Sequence, residues 1–558
     1  MRCLLLALNF LLLSSRPYLL ATVLVTLVNV ALVVFWDGGA PDEHIARAFE
    51  ARDRGPKRAA LLFALAATLI VVAACRAWLH EILIFPHDSQ RADMLVVVQL
   101  GIRRLLQGAN PYTMYNVPWP APLPYGIVMW APMLVPHLLH ADVRFATILG
   151  ALFVPVACAV AAVSDARRGR YAVALAWLAV AAAITFNPEL RGFLSIGHTP
   201  AYWPLLALFG WLVARERWRS AALVCGLLIV ARTTMVAVAP VFLIAVWYRA
   251  RTRVAAAAAL LAAGAVLPFL PFAIADWPAL RYALYGSYQA TMKGFVWTST
   301  VWVQNTIGIT GLLLARGWPR AVEPAQAIAM VAVYGAAWRA IRHGRRPLPW
   351  LGLALLAFSM TTLWPVVYLY FDVFLLLVCG ALAEEAVIQQ GRIAWMWAGA
   401  FAASLIVLAS SAWSTIPTEV SIDAGTGSNR QFLYAGFADD ERGSDRTYAW
   451  IEGTRAEILV PRRSRADATI DVIVQPALLT PGTVQQMSIV LNGTVLGTAT
   501  LKEGWQQVSV AAPSRAWQIG VNEVTLALSN TVSPLEAGLG ADNRRLSAAI
   551  DRLNVRTQ

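Results

Sequence analysis

The stretch 85–112, FPHDSQRADMLVVVQLGIRRLLQGANPY, sets Asp88, Arg91 and Asp93 between two strongly apolar segments. A carboxylate can take the proton from a hydroxyl nucleophile, and a nearby cation can neutralise an anionic leaving group. Three further segments gather polar groups of the same kinds. NPELRGFLSIGHTPAYW, 187–203, contributes Glu189, Arg191 and His198; TMKGFVWTSTVWVQN, 291–305, contributes Lys293, Gln304 and Asn305; WPVVYLYFD, 364–372, contributes Tyr368, Tyr370 and Asp372. Arg232 interrupts the apolar run LIVARTTMVAV. Charge within such sequence costs about 2.5–3.5 kcal/mol on insertion scales, which makes it a functional candidate. The combination suits chemistry on a phosphate-linked lipid, with a carboxylate as general base and arginine or lysine facing the phosphate.

Each residue also has a plainer use. Asp93 can complement the dipole at a helix start, and Asp88 with Ser89 can cap it. On the residues alone, capping and catalysis stand equal. Arg103 and Arg104 are expected to snorkel along the membrane surface. Arg191 can pair with Glu189, and Asp372 is as able to balance a buried cation as to react. Lys293 reads as solvated, as do Asp439, Asp440 and Glu441. NPYTMYNVPWPAPLPYG, 110–126, is either a rigid interfacial loop or an aromatic wall for sugar rings, with Tyr112 and Tyr125 in it. No D-x-D motif is placed to bind a metal nucleotide; no cofactor is specified, and a divalent metal is left open.

The elements that must hold these groups follow from composition. The 558 residues are 58% hydrophobic and 14% charged, against about a quarter charged in soluble domains. Apolar runs of bilayer length fall near 18–36, 59–80, 143–163, 171–186, 200–214, 219–247, 254–275, 300–315, 321–339, 349–363, 366–383 and 393–413. A polytopic membrane protein with about 11–13 helices is expected, the run at 219–247 being one tilted helix or two broken ones. The net charge of +13 lies in short loops such as DARRGR, RERWR, YRARTR and IRHGRR. That is the pattern of cytoplasmic loops beside anionic lipid, so nucleic acid is excluded as a partner and membrane lipid is implied. Placing those loops inside puts 81–124, 187–199, 276–299 and the chain beyond Pro417 outside. ARGWPR, 315–320, strains this parity unless the segment before it is re-entrant or interfacial. Five cysteines lie in apolar sequence without metal spacing and read as buried small hydrophobes. The N-terminus reads as a retained anchor helix.

Past residue 413 the composition changes. ILVPRR, ATIDVIVQP, MSIVLNGTVLGTATL, WQQVSVAAP, NEVTLALSN and SAAIDRLNVR are short β-branched runs between turn residues. VLNGTV is a hairpin signal, because Asn-Gly accepts the positive φ angles of a type I′ turn. A β-sandwich is expected.

From Asp93 through VVVQLGIRRLLQGANPYTMYNVPWPAPLPYGIVMWAPML, the chain resembles bacterial GT-C glycosyltransferases, and most nearly the polyprenyl-phosphomannose-dependent mannosyltransferase-like branch. That family places an Asp on the first outward loop, then a helix ending in Gly, then Asn-Pro-Tyr and a Pro/Tyr-rich stretch. In SIGHTPAYWPLLALFGWLVARERWRSAALVCGLLIVARTTMVAVAPVFL the family often has Gly-Gln and a Lys, where His198 and Arg232 stand here. VWVQNTIGITGLL and TLWPVVYLYFDVFLLL resemble later blocks, although a family His is Tyr in the second. The resemblance covers roughly 80–385 in patches. It implies Asp93 as general base with Asp88 second. Arg191, His198 and Arg232 become candidates for the donor phosphate, and Arg91, Tyr112, Tyr125, Asn305, Tyr368 and Tyr370 for lining the substrate. The tail GFADDERGSDRTYAWIEGTRAEILVP resembles a carbohydrate-module-like sandwich.

The expected organisation is an anchor helix and cytoplasmic loop, 1–58; a GT-C-like catalytic domain, 59–415; and a periplasmic, jelly-roll-like sandwich, 416–558. The expected activity is transfer of a sugar from a polyprenyl-phosphate donor to a glycan or glycolipid acceptor, inverting or retaining, in the cytoplasmic membrane with the active site outward. The rival expectations are a transporter or flippase of lipid-linked sugar, which internal repeats would favour, and a non-catalytic glycan-binding envelope protein.

Overall fold

The computed structural model describes residues 2–13, 18–36, 57–85, 93–116, 120–196, 200–387, 392–417, 419–427, 429–477 and 483–557. The part before residue 416 is helical apart from one short strand pair, Met114–Asn116 with Pro120–Pro122. Four helices, Arg58–Ile84, Phe145–Arg167, Arg251–Val296 and Trp395–Thr415, are long and apolar enough to cross a membrane. The pair Tyr171–Thr185 and Pro188–Ile196, bent by 49°, would make a fifth span. Among the described residues, length and composition thus admit four or five spans, and shorter apolar helices of 10–17 residues accompany them. Leu152, Trp177, Phe209, Phe242 and Phe374 are buried in a continuous core between the helices.

The departures from expectation lie at helix breaks. The run at 219–247 is two helices, Trp218–Ala231 and Val238–Arg249, joined by a tight turn at Thr233–Ala237. Arg232 sits at the break with φ −150° and ψ 120°. The segment 276–299, expected as an outward loop, is helical instead. At Asp276 (φ −161°, ψ 88°) the helix kinks, and its carboxylate accepts the Ala279 N–H at 3.0 Å, restarting the helix as a cap does. The span expected at 300–315 is two short pieces, Thr300–Gln304 and Ile309–Ala315, divided at Gly308 with φ 138°. Neither is long enough to cross a bilayer, which takes about 20 residues. All five cysteines are buried and unbridged.

Glycine sets one close crossing. A Cβ on Gly226 would stand 2.2 Å from the Leu261 carbonyl oxygen, and one on Gly264 would stand 2.5 Å from that of Leu223. Helices Trp218–Ala231 and Val254–Val266 therefore pack backbone to backbone, the small-residue contact that apolar surroundings favour.

From Val420 to Thr557 the chain forms two sheets. One runs in the order Thr494–Leu501, Gln485–Leu491, Gly520–Leu528, Arg455–Arg462, Leu433–Ala435. The other runs Gln506–Ala512, Ala468–Pro476, Leu546–Thr557, Thr447–Glu452, Phe437–Arg442, with Val420–Asp423 also against Leu546–Thr557. Alternate residues such as Ile470, Val472, Val474, Met487, Ile489 and Leu526 fill the space between them. Asn492 (φ 49°) and Gly493 (φ 83°) make the expected hairpin turn. Asp439–Glu441, expected as a solvated loop, are corrected to strand residues paired with Thr447–Glu452. Arg430 meets Asp440 at 2.9 Å and Arg544 meets Glu441 at 2.9 Å, so these acids are held by cations.

The sandwich is docked, not merely tethered. The Val521 N–H donates to the His140 carbonyl at 2.7 Å, beside Gly520, whose φ of 104° and 2.6 Å clearance to that oxygen leave no room for a side chain. Arg103, expected to snorkel, instead reaches Glu457 at 3.3 Å and Glu523 at 2.6 Å. Arg104 stays exposed and donates to the Asn110 carbonyl at 3.1 Å.

Candidate functional site

The break at Arg232 places a cation inside the helical part. Its N–H still donates to Leu228 at 2.8 Å, but its extended backbone turns the chain out of the helix. A Cβ on Gly126 would stand 1.9 Å from the Val230 carbonyl oxygen, so the Pro/Tyr-rich stretch lies directly against the end of this helix. The Arg232 guanidinium is 3.3 Å from the Asp372 carboxylate and 5.0 Å from the centre of the Tyr368 ring. The other Asp372 oxygen accepts the Trp203 indole N–H at 2.9 Å. Buried Tyr202 adjoins both charges, and Tyr288 adjoins Arg232 and Tyr368. Removing either member of such a pair leaves a buried charge, at a cost of about 3–5 kcal/mol.

The surrounding segments come from far apart in the chain. Phe193, on helix Pro188–Ile196, stacks on Tyr368 at 4.5 Å with the rings 3° from parallel. Trp297 donates to the Leu363 carbonyl at 2.7 Å, and the Ile307 N–H donates to Pro365 at 2.9 Å. Thus the segment 364–372 meets 187–203 through Tyr368 on Phe193 and 291–305 through Trp364 on Trp302, with the Arg232–Asp372 pair at the first of these contacts.

Buried Arg144, which the sequence did not single out, ties in a further segment. One of its guanidinium nitrogens donates to Phe85 at 3.3 Å and to Ser195 at 3.2 Å, and Asp142 holds the other side at 2.7 Å. Phe85 ends the helix before Asp88 and Arg91, while Ser195 lies just before His198. The two acid- and histidine-bearing segments therefore start from one guanidinium. Asp88, Arg91 and His198 themselves lie outside the described residues. Asp93 begins helix Asp93–Leu106, and its side chain is likewise outside them.

The remaining candidates divide. Arg191 is half-exposed and meets Glu81 at 3.7 Å, a different acid from the neighbouring Glu189. Tyr112 is buried, packs against Phe272 and donates its hydroxyl to the Tyr125 carbonyl at 3.0 Å. Tyr125 is partly exposed; its carbonyl also takes the Trp130 indole N–H at 3.2 Å. Tyr370 is fully buried and donates to the Ile307 carbonyl, so it shapes the turn at Gly308 rather than lining a cleft. Asn305 is exposed and donates to Val301 at 2.9 Å, closing its own helix. Lys293 is exposed and meets Glu323 at 2.7 Å. Tyr202, Trp203 and Tyr288 were missed. The first two stand within the quoted block 187–203, where their aromatic character concealed Trp203 as a donor to the buried Asp372 and Tyr202 as its neighbour. No cluster of three or more His, Cys, Asp or Glu able to hold a metal occurs among the described residues.

Chemically, the site offers a guanidinium whose planar fork matches phosphate oxygens, set among aromatic faces. The acid opposite it lies with its hydrogen-bond partners in the core.

No family model and no curated protein matches the chain. Solved structures are similar over about a quarter of it. The CBM36-1 domain of a multidomain xylanase from the hindgut metagenome of Trinervitermes trinervoides is 9% identical, covering 25% of this chain and 98% of that one, with a TM-score of 0.17. The C-terminal CBM6 of a marine laminarinase from Zobellia galactanivorans is 16% identical, covering 25% and 100%, with a TM-score of 0.17. A CBM36 module in complex with calcium and xylotriose is 12% identical, covering 24% and 98%, with a TM-score of 0.16.

Proposed function

We propose that the protein is a GT-C-type membrane glycosyltransferase that moves a sugar from a polyprenyl-phosphate donor to an envelope glycan or glycolipid acceptor. It works at the outer face of the cytoplasmic membrane, with the sandwich in the periplasm. The observation that carries this reading is the convergence on Arg144: the roots of the Asp88-bearing and His198-bearing segments share one guanidinium, and the second helix also stacks on Tyr368 beneath Arg232. This supports a reading in which the segments proposed to carry the base and the phosphate-facing cation act on one substrate.

In this mechanism Asp93 takes the proton from an acceptor hydroxyl as its oxygen attacks the anomeric carbon. The bond from that carbon to the phosphate oxygen breaks, and polyprenyl phosphate leaves with the electron pair. Arg232 faces the departing anion, where a cation shielded from water acts most strongly. Because the leaving group is a stable anion, the reaction needs no strong protein acid. Arg191 and His198 are proposed to complete the phosphate site, and Tyr368, stacked on Phe193, to support Arg232 beside it.

Purified protein incubated with a panel of polyprenyl-phosphate sugars should release lipid phosphate from one of them when acceptor is present. Movement of intact lipid-linked sugar across vesicles without release would indicate a transporter instead. Sugar binding by the whole chain with neither movement nor release would leave a glycan-binding envelope protein.

A further inference from the structure

At the arginine-rich end of the helices, a groove of about 320 Å³ opens between helices Val238–Arg249 and Val322–Arg342. Leu243, Ile244 and Val254 form its apolar walls, and the rings of Trp247 and Trp338 border it. Each tryptophan carries an arginine: Arg251 lies 4.9 Å from the Trp247 ring centre and Arg342 lies 5.5 Å from that of Trp338. Arg249 donates to the Gly344 carbonyl at 2.7 Å, joining the loops YRARTR and IRHGRR at this mouth. Neither 240–254 nor 337–346 contains an acidic residue.

We propose that this groove is a binding site for an anionic diacyl phospholipid, with its acyl carbons against Leu243, Ile244 and Val254 and its phosphate between Arg251 and Arg342. An apolar slot alone would accept any lipid. Two arginines held over rings at its rim, while Glu384 near this mouth is taken up by Arg346, select one with a net negative headgroup. The tryptophans suit the boundary between acyl chains and headgroups, where an apolar body and a polar N–H are both accommodated. The site is distinct from the Arg232–Asp372 cluster, and it depends on membrane insertion but not on the glycosyltransferase reading.

The test uses the full-length protein in detergent, with binding of phosphatidylglycerol, phosphatidylcholine and glycerol 3-phosphate measured by native mass spectrometry. Phosphatidylglycerol should bind tightly. Arg251→Ala/Arg342→Ala should bind it roughly ten- to thirty-fold more weakly, given about 1 kcal/mol per basic residue near a lipid surface. Arg251→Lys/Arg342→Lys should keep part of the affinity, and Leu243→Trp, which fills the slot without changing charge, should lose it. Equal binding of phosphatidylcholine, or unaltered binding in the double alanine variant, would overturn the proposal. Tight binding of glycerol 3-phosphate alone would show a simple anion site and would also overturn it. Melting curves of each variant establish that it is folded.

Discussion

Arg103 stands 2.6 Å from Glu523, although 420 residues of chain separate them. The same guanidinium reaches Glu457 on the adjacent strand and lies 5.5 Å from the centre of the Tyr434 ring. A residue on the helix that Asp93 begins is thus clamped to two neighbouring strands of the sandwich. The orientation of that helix and the placement of the sandwich are one structural problem.

Arg103→Ala leaves Glu457 and Glu523 with the more exposed Arg455 as their one remaining shared cation among the described residues. A fully buried pair broken this way costs about 3–5 kcal/mol, and partial exposure here reduces that to roughly 1–3 kcal/mol. The expected outcome is faster proteolytic release of the sandwich with the helical part intact. Unchanged proteolysis would mean that the His140–Val521 contact suffices.

That penalty should depend on pH. Burial, and then the Glu457 carboxylate, raise the Glu523 pKa above the ordinary 4.5, while Arg103 and Arg455 oppose the rise. Because the folded value exceeds the unfolded one, this titration favours the fold below pH 4.5, and the contribution disappears as pH rises through the folded value. Removing Arg103 lets the folded value climb further. The stability gap between wild type and Arg103→Ala should therefore be widest at neutral pH and narrow under acid, as paired melting curves would show.

Arg232→Ala and Asp372→Asn should each destabilise by about 3–5 kcal/mol, since each strands a buried partner. Replacing both with apolar residues should cost less than the two single changes combined. A double-mutant cycle on thermal stability measures this directly. Additive losses would show that the two residues do not act as a pair.

Arg144→Ala should lower turnover about a hundredfold, the loss typical of a misplacement near 1 Å at the reacting centre. Arg144→Lys should recover little, because one ammonium cannot reproduce the fork that joins Phe85, Ser195 and Asp142. Turnover with a fixed donor and melting temperature, measured together, separate misplacement from unfolding.

Asp93→Asn keeps shape and capping but loses basicity, and should cost between about a hundredfold and ten-thousandfold in turnover. Asp88→Asn should cost far less. Near-normal turnover of folded Asp93→Asn would make that residue a helix-start device.

Residue type and period made much of the architecture legible. Apolar runs located the helices near 59–80 and 143–163, and Asn492-Gly493 located the hairpin, because both signals are local. The helical stretch after Asp276 was hidden, since a kink restarted by a side-chain cap leaves an apolar pattern that resembles a span followed by a loop. The site was legible in part. Arg232 is conspicuous through its cost in apolar sequence, and Asp372 is legible as a partner for such a cation. Arg144 was not, because an arginine beside an aspartate looks like any solvated loop pair until Phe85 and Ser195 arrive from elsewhere. Arg103 misled for a related reason: its two acids lie hundreds of residues downstream, where no local pattern could connect them.

That separation also sets an order of events during synthesis. At about 5–20 residues per second, the 420 residues between Arg103 and Glu523 take roughly 20–80 seconds to translate. Throughout that interval the helix that begins at Asp93 has no sandwich to rest on. Once Val230 and Phe272 have in turn been made, the Pro/Tyr-rich stretch against Val230 and Tyr112 on Phe272 can hold its orientation. The clamp closes last, after the sandwich strands have been made, so the newborn helical part has to wait with its docking face open.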